Sequence, residues 1–337
     1  MIAIGIIIIA IGAFCQAGCY LPINKVKSWK WENYWMVQGV FAWLLLPFLG
    51  ALLAIPEGET LADLFGLMAE NSDDAVMAVL FGVLWGIGGL TFGMSMRYLG
   101  VALGQSFALG TCAVLGTVLP PLFTGQTNSL TVSVLVGVLV TVLGIAVIVV
   151  AGRMKSASLS EKEKKAAIKE FDFSKGLSIA LLCGFMSACF SVGLAYGESI
   201  TFEGSSPLFK SLPATLLVTI GGFFTNFVYC IRRGYLRKTF RDYSKTGVWL
   251  HNLLFCAMAG LLWYAQFFAL SMGKGLMKES VVLVAFSWCI LMALNVLFSN
   301  VWGLILKEWK GCSKTTFVVL AIGMIVLIVS TFLPQLL

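Results

Sequence analysis

Apolar residues along the chain gather into ten runs separated by short polar breaks. They extend approximately over Ile2 to Tyr20, Tyr34 to Ile55, Ala75 to Met96, Leu99 to Phe123, Leu130 to Ala151, Gly176 to Gly197, Leu212 to Ile231, Val248 to Leu270, Ser280 to Asn300 and Thr316 to Leu333. At about 1.5 Å rise per residue, roughly 20 residues cross the ~30 Å of a bilayer's hydrocarbon, so the pattern predicts ten transmembrane helices. The first run has no basic residue before it, and Cys-Tyr-Leu-Pro leads from it into Lys25 and Lys27. That reads as a retained span and not as a cleaved signal peptide. The third run, around Phe81 to Gly100, is rich in small residues and stops at Arg97. Its Gly-Val-Leu-Trp string ending at Trp85 returns as Gly-Leu-Leu-Trp ending at Trp263, about half a chain further on. Such a repeat suggests two homologous halves, an arrangement that membrane transporters place around a solute site.

Composition excludes a soluble domain. Hydrophobic residues make up 59% and charged residues 12%, against roughly 45–50% and about 25% in globular proteins. The net charge of +7 does not point to nucleic acid, because the cations sit in short loops and form no continuous basic face. Of the 23 Lys and Arg, only Lys210, Lys274 and Lys278 fall in even-numbered loops; the odd loops hold the rest, among them Lys25, Arg97, Lys165, Arg237 and Lys307. Loop two instead carries Glu57, Glu59, Asp63, Glu70, Asp73 and Asp74. The positive-inside rule then puts the odd loops in the cytoplasm and both termini outside.

With five spans per half, the second half enters the membrane from the opposite face. The expected fold is an all-α polytopic membrane protein whose ten transmembrane helices form two inverted five-helix repeats. Residues 1–151 form the first repeat, 152–175 a cytoplasmic linker and 176–337 the second. The linker core SEKEKKAAIKEF alternates charge, and its Glu161 and Lys165 are spaced to pair on a short surface helix. Gly82, Gly86, Gly89 and Gly93 of span three read as a close helix-packing face.

Catalytic signatures are missing. There is one histidine, His251, and no CxxC, HExxH, GxSxG or phosphate-cradling loop. The nine cysteines, such as Cys15, Cys183 and Cys289, lie almost all inside spans, with Cys312 in a loop, and read as small packing residues. Neither a metal nor another cofactor is expected, nor an enzyme. A channel would need a ring-forming charge pattern that no span carries.

Several strings carry a resemblance. Pro22 to Trp35 with Lys25-Val26-Lys27, Trp29, Trp31 and Glu32, then Trp85-Gly86-Ile87-Gly88, Met96-Arg97-Tyr98-Leu99-Gly100, Gly116-Thr117, His251-Asn252, Trp263-Tyr264-Ala265-Gln266-Phe267-Phe268 and Leu306-Lys307-Glu308-Trp309 are similar to the bacterial L-rhamnose/proton symporter family of the drug/metabolite transporter superfamily. The resemblance implies a ten-helix carrier in the bacterial inner membrane that imports a deoxyhexose with a proton. Around Ser287-Trp288 the chain departs from it: apolar Val281 to Phe286 and Cys289 to Met292 stand where further polar residues are expected. A carrier for another small solute, exporting or exchanging, is the alternative.

Polar groups in hydrocarbon face the bundle interior, and a sugar offers both apolar faces and hydroxyls to aromatic and amide side chains. The depth of each residue along its span gives the candidate lining. Gln16 and Gln105 fall at similar depth on the cytoplasmic side, Trp263, Gln266, Ser287 and Trp288 on the outer side, and Thr111 and Ser187 near the centre; Trp85 joins them as the repeat partner of Trp263. For proton coupling the candidates are Glu198, Glu279 and His251, with Glu198 first. Glu32 reads as a loop partner for a neighbouring lysine.

Overall fold

The structure, a computed structural model, describes residues 1–99, 101–158, 172–244, 247–307 and 309–337. Among these residues every regular element is helical, and ten helices are long and apolar enough to cross a membrane. They are Ile2–Ile23, Trp31–Leu52, Ser72–Ser95, Ser106–Phe123, Val132–Lys155, Ser174–Ser199, Leu212–Arg237, Trp249–Leu276, Val281–Ile305 and Lys314–Leu336, here the first to the tenth span. Each coincides with one apolar run. In hydrocarbon a helix satisfies its backbone N–H and C=O groups within its own segment, which is why each run folds this way.

The helices outrun the apolar runs at their flanks: the third continues to Leu99, the fifth to Ser158 and the eighth to Leu276. Hydropathy reports the hydrocarbon, whereas a helix ends where its last carbonyls find other partners. The seventh ends at Arg237, where Lys238 turns left-handed at φ 55° and donates its N–H to the Gly234 carbonyl. Loop two folds a helix of its own, Leu61–Glu70, started by a capping box. The Asp63 amide donates to the Thr60 hydroxyl, while the Asp63 carboxylate accepts from the Thr60 hydroxyl at 2.6 Å and its N–H at 2.7 Å. These bonds hold the Asp63 carboxyl below the usual carboxylate range. The charged linker core with Glu161 and Lys165 lies outside the described residues.

Two compact units divide the chain, and each draws on both halves of the sequence. The first holds Ala3–Gly86 and Val192–Leu276, the second Ile87–Ser191 and Met277–Leu337. In the first unit, spans three and seven cross at backbone contact. A methyl on Gly82 would strike the Val218 carbonyl, and one on Gly221 the Val79 carbonyl. Gly86 lies equally close to Thr225, but an added methyl at Gly89 or Gly93 meets none of the described residues within 4 Å. The packing face expected over four glycines therefore covers only two.

In the second unit the core joins Leu99, Ile148, Ala180, Leu297 and Leu320. Spans five and ten pack through Gly144 against Leu327 and Gly323 against Ile148. Span nine is buried along most of Leu283 to Leu297. Burial accounts for the apolar Leu283, Phe286 and Cys289 to Met292 beside Ser287-Trp288, whereas Val281 at the start of the span is 71% exposed. All nine cysteines are free, and seven of them are buried.

Candidate solute site

At the basic-loop end of the first unit, the segment before span two is clamped to the start of span eight. The Lys27 N–H donates to Asn252 Oδ1 at 2.9 Å, and Asn252 Nδ2 returns a bond to the Lys27 carbonyl at 2.8 Å. His251 Nε2 lies 3.0 Å from the Lys25 carbonyl. Two of the sequence strings, Lys-Val-Lys and His-Asn, thus meet in space. Next to them Trp29 sits edge-on to Tyr243 and Trp249, at 5.0 and 5.3 Å. Burial raises the Tyr243 phenol above its ordinary pKa, and its hydroxyl donates to the Asn33 carbonyl at 2.9 Å.

Glu32 does not pair with a neighbouring lysine. It is 2% exposed, its carboxylate lies 3.2 Å from Arg233 Nε and accepts from the Thr239 hydroxyl at 2.9 Å. Arg233 comes from the far end of span seven, 201 residues on, so loop proximity in the sequence gave no sign of the pair.

From Arg233 a column of rings runs into the first unit. The guanidinium lies over Trp31 at 5.8 Å, Trp31 stacks on Trp35 at 5.2 Å, and Trp35 meets Trp43 edge-on at 5.5 Å. Trp43 in turn is edge-on to Trp85 at 5.9 Å and to Trp263 at 6.0 Å. Trp85 and Trp263, the two repeated tryptophans, are half-buried and lie 5.5 Å apart. The Trp35 indole donates to Asn226 Oδ1 at 2.9 Å. Gln266 donates to the Trp263 carbonyl at 3.2 Å.

Gln16 belongs to the same layer by register. Gly12 of span one packs against Ala265 and Ala269 of span eight, and Gly273 packs against Ile9. The two helices are therefore antiparallel, and Gln16, one turn past Gly12, falls at the depth of the turn carrying Trp263. Gln16 Oε1, Gln38 Oε1, Trp43 Nε1 and the Tyr264 hydroxyl are buried with no hydrogen-bond partner among the described residues. A buried polar group left unpaired costs about 1–3 kcal/mol; Trp43 Nε1 belongs to the ring column itself, while the Tyr264 hydroxyl rests against Gly50 of span two.

Trp43 itself lies in a π-helical segment, Val40–Leu45, and its ring rests against Gly39, where an added methyl would come within 2.6 Å of it. Glycine inside a helix costs roughly 0.5–1 kcal/mol, and π-turns inside helices are rare and concentrate at functional sites.

In the second unit the polar candidates are bonded mainly to backbone. Trp288 donates to the Cys112 carbonyl at 3.2 Å, stacks on Phe190 at 5.9 Å and covers Gly116. The Ser287 hydroxyl donates to the Val284 carbonyl at 2.7 Å. Ser187 packs against Gly88. Thr111 packs against Gly184 and lines an apolar cavity of about 530 Å³ with Phe107, Val142, Ile145, Val149 and Arg153. The side chains of Gln105 and Arg97 lie outside the described residues. Among the proton candidates, Glu198 is half-exposed and accepts from Lys274 Nζ at 2.9 Å, while Glu279 is exposed.

Of the residues named from the sequence, Trp85 and Trp263 lie together; Gln38, Trp43, Asn226 and Arg233 beside them are not among those named. The spacing of Trp31 and Trp35 at i, i+4, with Trp43 two turns further, was a readable signal for a ring column.

Ten helices long and apolar enough to cross a bilayer define a multi-pass membrane protein. The chain belongs to the L-rhamnose-proton symport protein family, whose profile matches residues 1–336. An L-rhamnose-proton symporter of Mannheimia succiniciproducens is 33% identical over 342 residues, covering 98% of this chain and 96% of that protein. Those of Escherichia coli and Shigella dysenteriae are each 33% identical over 344 residues with the same coverage. This is a family of transporters and not of enzymes.

Proposed function

We propose that this chain imports L-rhamnose or a related deoxyhexose together with a proton, by alternating access in a bacterial inner membrane. The observation that carries this reading is similarity along the whole chain to symporters of that name, joined to a first unit whose half-buried Trp85 and Trp263 stand beside open amide and indole groups. Trp85 and Trp263 offer flat faces to the apolar side of the sugar ring, and Gln16 and Gln266 offer hydrogen bonds to its hydroxyls. The two repeated tryptophans meeting at 5.5 Å support two inverted halves. Read by the positive-inside rule, the loop charges favour both termini in the periplasm. Protons are carried by Glu198, whose bond to Lys274 is an interaction that protonation would release; Glu279 and His251 are the alternatives.

The test is counterflow in proteoliposomes: vesicles loaded with unlabelled sugar take up traces of labelled L-rhamnose, other deoxyhexoses and hexoses. Transient accumulation of L-rhamnose or a close relative is expected. Accumulation of none of them would overturn the assignment and favour a carrier for a different solute.

A further inference from the structure

We propose that the Trp43 indole N–H is a hydrogen-bond donor to a sugar hydroxyl, and that the π-turn of span two exists to aim it. Three independent features converge on this residue. Its Nε1 is buried and unpartnered, although its ring is only 3% exposed. It sits in the π-helical Val40–Leu45, where the chain gives up regular helix geometry. Its ring packs against Gly39, where any side chain would collide with it.

Packing alone explains none of the three. An apolar ring there would leave no buried donor unpaired, and a regular turn would hold a ring as well. Trp35 makes the contrast within the same span: it too is buried, but its N–H is bonded to Asn226 at 2.9 Å; Trp29, the other indole with a buried unpaired N–H among the described residues, packs on Tyr243 and Trp249, away from Trp85 and Trp263. The rings beside Trp43 have the chemistry of a carbohydrate subsite, with half-buried Trp85 and Trp263 within 6.0 Å of its ring centroid; Gln38 of the same span and Gln16 of span one carry further unpaired oxygens. An aromatic donor beside aromatic plates binds a ring hydroxyl edge-on while the plates cover the apolar face.

The inference rests on the sugar-carrier reading and deepens it. The experiment measures binding of L-rhamnose and a panel of its monodeoxy analogues to the purified full chain, for the parent, Trp43→Phe, Trp35→Phe and Gly39→Ala. Trp43→Phe is expected to weaken L-rhamnose a few-fold to about tenfold, and to leave unchanged the affinity of the one analogue that lacks the partner hydroxyl. Gly39→Ala, which displaces the ring from beneath, should reproduce that pattern even if Trp43→Phe folds poorly. Trp35→Phe should lower thermal stability without altering the ranking of the panel. Uniform weakening of every analogue by Trp43→Phe and Gly39→Ala, or no weakening at all, would overturn the role of Trp43 while the carrier reading stands. A parent protein that binds no member of the panel would overturn both.

Discussion

Glu32 shows how a single residue can be misread from sequence and understood from structure. An acid flanked by lysines in a loop looks like a local surface pair, yet its carboxylate is sealed by Arg233 and Thr239. Arg233 keeps 31% of its side chain exposed, so the two partners are not equivalent. Arg233→Ala strands a buried carboxylate and should cost about 3–5 kcal/mol, whereas Glu32→Gln keeps the Thr239 bond and should cost less, about 1–2 kcal/mol. Thermal unfolding in detergent ranks them; equal losses would show that the pair is not the main support of Glu32. Glu198 carries the second prediction at this scale. Glu198→Gln mimics the protonated acid, so it should still exchange sugar down a gradient but no longer accumulate it against one. Should the variant concentrate sugar like the parent, Glu198 and Lys274 are a surface pair and coupling belongs to Glu279, His251 or the buried Glu32. The Trp85 and Trp263 meeting was legible because a repeated string marks equivalent positions. The Glu32 and Trp43 environments were not, since partners 201 residues apart and a one-residue shift in helical hydrogen-bond register leave no trace in local hydropathy.

At the scale of elements, the spans were legible because the thickness of hydrocarbon imposes one length on every apolar run. Their faces were less so. Of the four span-three glycines expected to form one packing face, spaced three or four residues apart, only Gly82 and Gly86 meet another backbone or side chain. Gly82→Ala and Gly221→Ala push a methyl into a carbonyl of the facing helix and should each destabilise by about 1–3 kcal/mol. Gly89→Ala and Gly93→Ala should stay within about 0.5 kcal/mol for folding. Equal loss at all four positions, read as melting temperature of the purified variants, would contradict the crossing described here. Span nine shows the converse error of sequence reasoning. Its apolar flanks looked like a departure at a site wall, and burial accounts for Leu283, Phe286 and Cys289 to Met292 among them.

For the whole molecule, loop charge and span parity divide the chain at residue 151, while compactness divides it into units that each take spans from both halves. The division at residue 151 stays a proposal from repeat and loop charge, whereas the compact units record which helices bury surface together. The units were not legible, because they depend on contacts between distant spans. Orientation has its own test: tags at both termini should react with an impermeant reagent on intact cells, and protection of either until lysis would remove the basis for inverted halves. The central claim, that sugar entry is driven by protons, is tested most directly in proteoliposomes of the purified chain with an imposed inside-alkaline pH gradient and no sugar gradient. Labelled L-rhamnose or its relative should accumulate above the external concentration, and a proton ionophore should abolish the accumulation. Uptake that only equilibrates, with or without the gradient, would contradict proton symport.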